Sequence, residues 1–243
     1  IAWLFNFTPG FIFETIGQTY VNVPITALRS FPALLGALLI PLMYLLLRKL
    51  SISRIAATLA AGLVLFDTAL LTHSRFILLD IPLVFFGFLS IFLVLYGNES
   101  EKIKAKIIYF ISAAFSFGLA VSLKWTACAF IVPIALFIFH AFKEKKINKS
   151  FLVAVTSAFI VIPILVYISF FALHFSLTAP PKLTNFAHSF VAIHQEMFSS
   201  NLQNLSHPYE SKWWQWPLLS RSIYYWVAHE GTQETRWIYL LGN

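Results

Sequence analysis

THSRFILLD, at residues 72–80, joins two strongly apolar segments and places a cation, Arg75, five positions before a carboxylate, Asp80. Charged side chains at the edge of a hydrocarbon layer are costly and commonly serve a function. The flanking apolar runs, residues 55–71 and 77–96, are each long enough to cross a bilayer as a helix. The stretch therefore predicts two transmembrane helices joined by a short polar connection.

The composition of the whole chain agrees with a membrane protein. Apolar residues make up 59% of the 243 residues, charged residues 11%, and the mean hydropathy is +0.78. Soluble domains have roughly 45–50% apolar and about 25% charged residues. None of the apolar runs alternates strictly, so helices are favoured over strands and an all-α, polytopic bundle is predicted. Six runs form this bundle: residues 31–47, 55–71, 77–96, 107–123, 126–142 and 151–175.

Lysine and arginine cluster in alternate loops of the predicted bundle. Most of the 17 cations fall within residues 48–54, 102–106 and 143–149, which helix parity places on one side of the membrane. Cytoplasmic loops carry such an excess, so this side is predicted to be cytoplasmic. The net charge of +7 therefore reflects topology in a lipid bilayer, and nucleic acid is not an expected partner.

Three cations lie at the opposite, outward ends of the predicted helices: Arg29, Arg75 and Lys124. Each could anchor a helix end by snorkelling, and binding of anionic lipid is a further alternative. Together they favour a shared phosphate ligand, because both residue types bind phosphate well. Asp80 is expected to cap its helix and pair with Arg75. Asp67, inside the second run, is expected to face the bundle or water.

The remaining polar residues give weaker indications. The histidines lack the spacing of metal ligands and there is one cysteine, so neither a metal nor another cofactor is predicted. The WWQWP segment, residues 213–217, fits either an aromatic belt at the membrane interface or a loop that closes over a sugar.

Several ordered motifs carry a resemblance that spans essentially the whole chain. They are IGQTY (16–20), ALRSFPALLG (27–36), SRFILLDIPL (74–83), SLKW (122–125), HPYESKWWQWPL (207–218) and IYLLGN (238–243). This set resembles the protein O-mannosyltransferases, glycosyltransferases of the GT-C class. The resemblance implies a partial GT-C fold. Residues 1–175 would form its six-helix transmembrane core, and residues 176–243 an outward-facing aromatic loop region that leads to a further transmembrane helix.

The resemblance also implies a reaction, in which mannose moves with inversion from a polyprenyl-phosphate carrier to Ser or Thr of a secreted or membrane protein. Arg29, Arg75 and Lys124 would contact the donor phosphate and headgroup. Four residues would support them: Ser74, Asp80, Asp67 and Trp125. Four others would belong to a loop near the acceptor or donor sugar: His207, Tyr209, Trp214 and Trp216.

The family's catalytic Asp-Glu pair is expected upstream of Ile1, so the chain is interpreted as an internal fragment without a catalytic residue of its own. Only about thirty residues separate the sixth run from His207, too few for the β-trefoil domain of eukaryotic members. A prokaryotic plasma-membrane protein with its active side outward is therefore expected. The alternatives are a GT-C transferase with a lipid or other acceptor and, from another class, a transporter, although transporters usually have polar breaks near the bilayer midplane.

Overall fold

The computed structural model describes residues 24–178, 186–202, 212–215, 218, 220–221, 223–230 and 234–240. The α-helices are α1 (Ile25–Lys49), α2 (Arg54–Phe66), α3 (Thr68–Arg75), α4 (Asp80–Glu99), α5 (Ile103–Leu123), α6 (Ile131–Lys143), α7 (Lys149–Thr178) and α8 (Phe186–Leu202). A 3-10 helix, Trp125–Phe130, precedes α6, and a second one spans Trp213–Gln215. Strands β1 (Ile223–Glu230) and β2 (Glu234–Leu240) come last.

Within the described ranges, five helical segments are long and apolar enough to cross a membrane: Ile25–Lys49, Asp80–Glu99, Ile103–Leu123, Trp125–Lys143 and Lys149–Leu177. Helices α2 and α3 make a sixth if they are taken as one span, bent by 53°. These six segments coincide with the six apolar runs of the sequence. The prediction that these runs form an all-α, polytopic membrane bundle is therefore confirmed.

The bend between α2 and α3 occurs at Asp67. Its backbone is extended, with φ −65° and ψ 117°, and its Oδ1 accepts a hydrogen bond of 2.7 Å from the amide of Leu70. A carboxylate in this position satisfies one of the free amides that begin a helix. The second apolar run is thus two helices rather than the single one predicted, because Asp67 caps a new helix.

Helices α4 and α5 form the centre of the bundle. The buried Ser90 hydroxyl on α4 donates to the carbonyl of Ala113 on α5 at 2.8 Å, and Ser116 on α5 donates to the carbonyl of Phe86 on α4, also at 2.8 Å. Around these pairs packs an apolar core with members on α1 and on α4 to α7. Polar bonds of this kind between helices compensate for the absence of water inside a membrane.

The two ends of the bundle differ in chemistry. At one end, which we call the lysine-rich end, Lys49 forms a salt bridge with Glu99 and lies 4.0 Å from the centroid of the Tyr96 ring. The Lys106 ammonium at this end donates to the carbonyl of Lys146 at 2.9 Å. The other end, which we call the Asp80 end, brings together the start of α4, the ends of α3 and α5, and the beginning of the 3-10 helix.

The last part of the chain contains regular structure where the sequence analysis expected loops. Helix α7 continues to Thr178, α8 follows, and β1 pairs with β2 in antiparallel register from Ile223↔Leu240 to Glu230↔Glu234, with an irregularity between Tyr224 and Trp226. Aromatic and β-branched residues are frequent in both strands, and such residues favour strands.

Candidate functional site

The centre of the Asp80 end is an ion pair between two helices. The Nζ of Lys124 lies 2.6 Å from Oδ1 of Asp80, and Nδ1 of His73 lies 3.7 Å from the other carboxylate oxygen. Asp80 is the first residue of α4, and Lys124 connects α5 to the 3-10 helix. The Asp80 and Lys124 side chains are 34% and 46% exposed, so both remain accessible to a ligand.

Two expectations for Asp80 are wrong: Leu79 takes the N-cap position of α4, and Asp80 does not pair with Arg75. Arg75 is exposed and forms no ion pair within the described part of the chain, while His73 and Lys124 approach the carboxylate instead. Helix α3 ends at Arg75, and two residues correspond to about 200° of rotation around a helix axis. The turn that directs His73 toward α4 therefore directs Arg75 elsewhere.

Arg29 also belongs to the Asp80 end. It lies in the first turns of α1, is exposed, and has its Cζ 5.8 Å from the centroid of the Phe76 ring. Phe76 directly follows Arg75, so the two arginines flank the same connection between α3 and α4. The structure thus places all three predicted cations at one end, with Lys124 engaged by a carboxylate and Arg29 by an aromatic ring.

Ser74 and Asp67 use their polar atoms within their own helix. The Ser74 hydroxyl donates to the carbonyl of Leu71 at 2.7 Å, and Asp67 caps the same helix. Ser74 lies so close to Gly36 on α1 that a Cβ added to Gly36 would be 2.8 Å from the Ser74 Cβ. Both residues therefore shape the helix that ends at Arg75.

Trp125 is held by two residues that the sequence analysis did not select. Its Nε1 donates to the Tyr167 hydroxyl on α7 at 2.9 Å, and that hydroxyl lies 2.8 Å from Nε2 of His194 on α8. The rings of Trp125 and His194 are nearly parallel, with centroids 6.2 Å apart. These partners are 42 and 27 residues apart along the chain, and no local pattern relates them.

A cleft of about 330 Å³ opens beside this cluster. Its polar and charged lining comes from five residues: Ser122, Lys124, Thr126, Tyr167 and Asn201. Trp125, Phe171 and Met197 contribute apolar surface. Residues with cationic, hydroxyl, amide and aromatic side chains therefore line one cleft at the Asp80 end.

The aromatic loop of the sequence analysis is only partly described. Trp214 is exposed and its ring centroid lies 5.2 Å from the Lys212 ammonium. His207, Tyr209 and Trp216 fall outside the described residues. Their assignment to a loop near the sugar stays a prediction.

The chemistry available at the Asp80 end is that of anion binding. A lysine ammonium has three donors, and Lys124 gives one to Asp80. Its other two donors make no hydrogen bond within the described residues, and Arg29 and Arg75 lie at the same end. Within the described ranges, no group of three or more His, Cys, Asp and Glu residues could hold a metal ion.

Comparisons with known proteins place the chain in a family. Residues 1–179 match the family model for dolichyl-phosphate-mannose-protein mannosyltransferase, and residues 186–243 match the model for the C-terminal four TMM region of protein-O-mannosyltransferase. Protein O-mannosyl-transferase 1 of Mus musculus is 31% identical over 189 residues, which cover 72% of this chain and 25% of the relative. The Danio rerio protein of the same name is 30% identical over 185 residues, which cover 72% and 26%.

A solved structure is similar in fold as well. The S. cerevisiae protein O-mannosyltransferase Pmt1-Pmt2 complex bound to the sugar donor has a TM-score of 0.61 and 25% identity, covering 72% of this chain and 25% of that one. The chain spans about a quarter of the length of these relatives. It is an integral membrane protein with the expected GT-C fold, and it belongs to the dolichyl-phosphate-mannose–protein mannosyltransferase family.

Proposed function

We propose that this chain forms part of an inverting transferase that moves mannose from a polyprenyl-phosphate carrier to Ser or Thr hydroxyls of proteins. The observation that carries the proposal is the Lys124–Asp80 pair of 2.6 Å, which leaves two ammonium donors free at the edge of the bundle. Family membership supplies the reaction class, since the family is named for dolichyl-phosphate-mannose and protein.

The reaction requires a developing phosphate charge to be stabilised. The acceptor oxygen bonds to the anomeric carbon as the bond from that carbon to the phosphate oxygen breaks, and the electron pair leaves with the phosphate. The acceptor proton passes to a general base. Cations placed where this charge develops stabilise the transition state more than the ground state, and this difference lowers the barrier. Lys124 would meet the leaving phosphate, and Arg29 and Arg75 would contact the donor headgroup.

Asp80 fits a structural role in this scheme better than that of the base. Its carboxylate begins α4 and is already engaged by Lys124, so it holds the ammonium in place. Asp67 likewise has a structural contact, because its Oδ1 caps α3.

The test is transfer of labelled mannose from a polyprenyl-phosphate-mannose to a Ser/Thr peptide by the full-length protein in lipid nanodiscs. Lys124→Ala and Arg75→Ala should each lower kcat/KM for the donor about tenfold or more, the loss expected when a charge-stabilising contact is removed. Lys104→Ala is the matched control, because Lys104 is exposed on the first turn of α5 at the lysine-rich end. Full activity in both variants, or transfer to a lipid instead of the peptide, would refute the proposal.

The second part of the proposal concerns the membrane in which the protein lies and which end of the bundle faces the cytoplasm. The lysine-rich end would face the cytoplasm and the Asp80 end would face outward across a prokaryotic plasma membrane, in keeping with the excess of cations in cytoplasmic loops. In intact cells, and in a background with Cys128 and any other native cysteine replaced by alanine, a membrane-impermeant maleimide should label Arg75→Cys but not Lys104→Cys. The reverse labelling would refute this orientation.

A further inference from the structure

Trp125, Tyr167 and His194 form a chain of hydrogen bonds in which each side chain donates to the next and His194 donates to the carbonyl of Phe190. The carbonyl of Phe190 accepts only, and it lies 2.6 Å from Nδ1 of His194, so Nδ1 carries the proton. In the neutral ring Nε2 is then an acceptor, and it receives the Tyr167 O–H at 2.8 Å. The oxygen of Tyr167 in turn accepts the indole N–H of Trp125 at 2.9 Å. Every polar atom of these three side chains therefore has a partner of the right kind.

The His194 ring also has close aromatic neighbours. Its centroid lies 4.1 Å from that of Phe190 on its own helix and 4.8 Å from that of Phe171 on α7. Trp125 stacks at 6.2 Å with an interplanar angle of 23°. His194 thus contacts both α7 and the first residue of the 3-10 helix.

These contacts affect the position of Lys124 through the backbone. Lys124 is a single extended residue, with φ −153° and ψ 141°, between α5 and the 3-10 helix, and its carbonyl accepts the amide of Ala127 at 3.0 Å. 3-10 helices are short and have poorer hydrogen-bond geometry than α-helices. The orientation of this connection therefore depends on tertiary contacts, and Trp125 provides one directly beside Lys124.

We infer that His194 is a positioning residue for Lys124. It orients the Tyr167 hydroxyl, which holds Trp125 and with it the backbone that carries the ammonium group. Met197 and Asn201, one and two turns further along α8, line the cleft next to Lys124, so the docking of α8 also forms one wall of that cleft. The effect on phosphate binding rests on the proposed function, whereas the effect on the connection does not.

The first test measures the connection itself by hydrogen–deuterium exchange in nanodiscs. His194→Phe keeps an aromatic ring but removes both hydrogen bonds, and Tyr167→Phe removes the hydroxyl between them. Both variants should increase amide exchange in α8 and in residues 124–130 about fivefold or more, because local opening becomes easier. His188→Gln, an exposed histidine of the same helix, should leave exchange unchanged. Unchanged exchange in His194→Phe and Tyr167→Phe would overturn the inference.

The second test asks whether His194 acts through Lys124. His194→Phe should lower donor kcat/KM about fivefold in the wild-type background but less than about twofold in a Lys124→Ala background, because coupled residues are not additive. His194→Gln should restore part of the activity, since its amide oxygen can accept from Tyr167. Equal losses in both backgrounds would overturn the inference by showing a general structural effect. If the wild-type protein transfers no mannose while exchange responds as expected, the proposed function fails and the positioning of Lys124 stands.

Discussion

Asp80 and Lys124 are 44 residues apart in the chain, yet their side chains meet at 2.6 Å and join the start of α4 to the end of α5. Both side chains are more than one-third exposed, with 34% for Asp80 and 46% for Lys124. Exposed ion pairs contribute little to stability, commonly less than about 1 kcal/mol. Their importance should therefore be seen in activity and not in the free energy of unfolding.

Asp80→Asn tests whether the ion pair affects activity without affecting stability. The variant should lower kcat/KM for the donor about tenfold, because a neutral amide holds the ammonium less firmly than a carboxylate does. The thermal unfolding midpoint in detergent should change little. Glu99→Gln is the matched control, since it removes the carboxylate that pairs with Lys49 at the other end of the same helix. Wild-type kcat/KM in Asp80→Asn, or an equal loss in Glu99→Gln, would contradict the assignment.

Asp67→Ala and Asp67→Asn distinguish a helix cap from an ionised functional group. Loss of the cap should destabilise the protein by about 0.5–2 kcal/mol in Asp67→Ala, because the Leu70 amide loses its partner. Asparagine caps helices as well as aspartate does, so Asp67→Asn should keep both stability and activity. Thermal unfolding and mannose transfer measure the two properties, and an inactive but stable Asp67→Asn would show that the charge itself is needed.

Gly36→Ala tests the close contact between α1 and α3. The new methyl group would lie 2.8 Å from the Ser74 Cβ, so the helices must separate, at a cost of about 1–3 kcal/mol. Gly62→Ala is the control, because a Cβ there meets nothing within 4 Å. The unfolding midpoint should fall in the first variant only. The double variant Gly36→Ala with Ser74→Gly should recover part of the loss, and failure to recover any would place the strain elsewhere.

Gly87→Ala probes the far end of the 3-10 helix. A Cβ on Gly87 would overlap the Phe130 ring, so the ring and the end of the 3-10 helix would be displaced. We expect a loss of about 1–3 kcal/mol in the free energy of unfolding. Donor kcat/KM should fall as well, since the displaced helix begins directly after Lys124. Gly87→Ala combined with Phe130→Leu should regain stability; a double variant no more stable than Gly87→Ala would rule out this contact as the cause.

Hydropathy was sufficient to predict the helices of the bundle, because a bilayer requires long apolar segments with satisfied backbone groups. Loop charges and motifs were sufficient to place Arg29, Arg75 and Lys124 at one end. The break at Asp67 was missed because an acidic residue inside an apolar run can either face the bundle interior or cap a new helix, and hydropathy does not distinguish the two.

The partners of the site residues were beyond the reach of sequence reasoning. The pairing of Asp80 with Lys124 depends on how α4 packs against α5, whereas Arg75 was preferred only because it is near in sequence. Tyr167 and His194 join Trp125 across three helices, and each is an ordinary residue of its own helix. Such contacts follow from tertiary packing and leave no periodic signal.

The two serine hydrogen bonds between α4 and α5 also set the position of α5 along α4. Ser90 is ten residues from Asp80 and Ser116 eight residues from Lys124, about 15 Å and 12 Å along their helices. Sliding α5 past α4 by one turn, about 5.4 Å, would break both bonds at once. The same slide would carry the ammonium of Lys124 away from Asp80. Two hydroxyl groups deep in the bundle thereby set the register on which an ion pair at its edge depends.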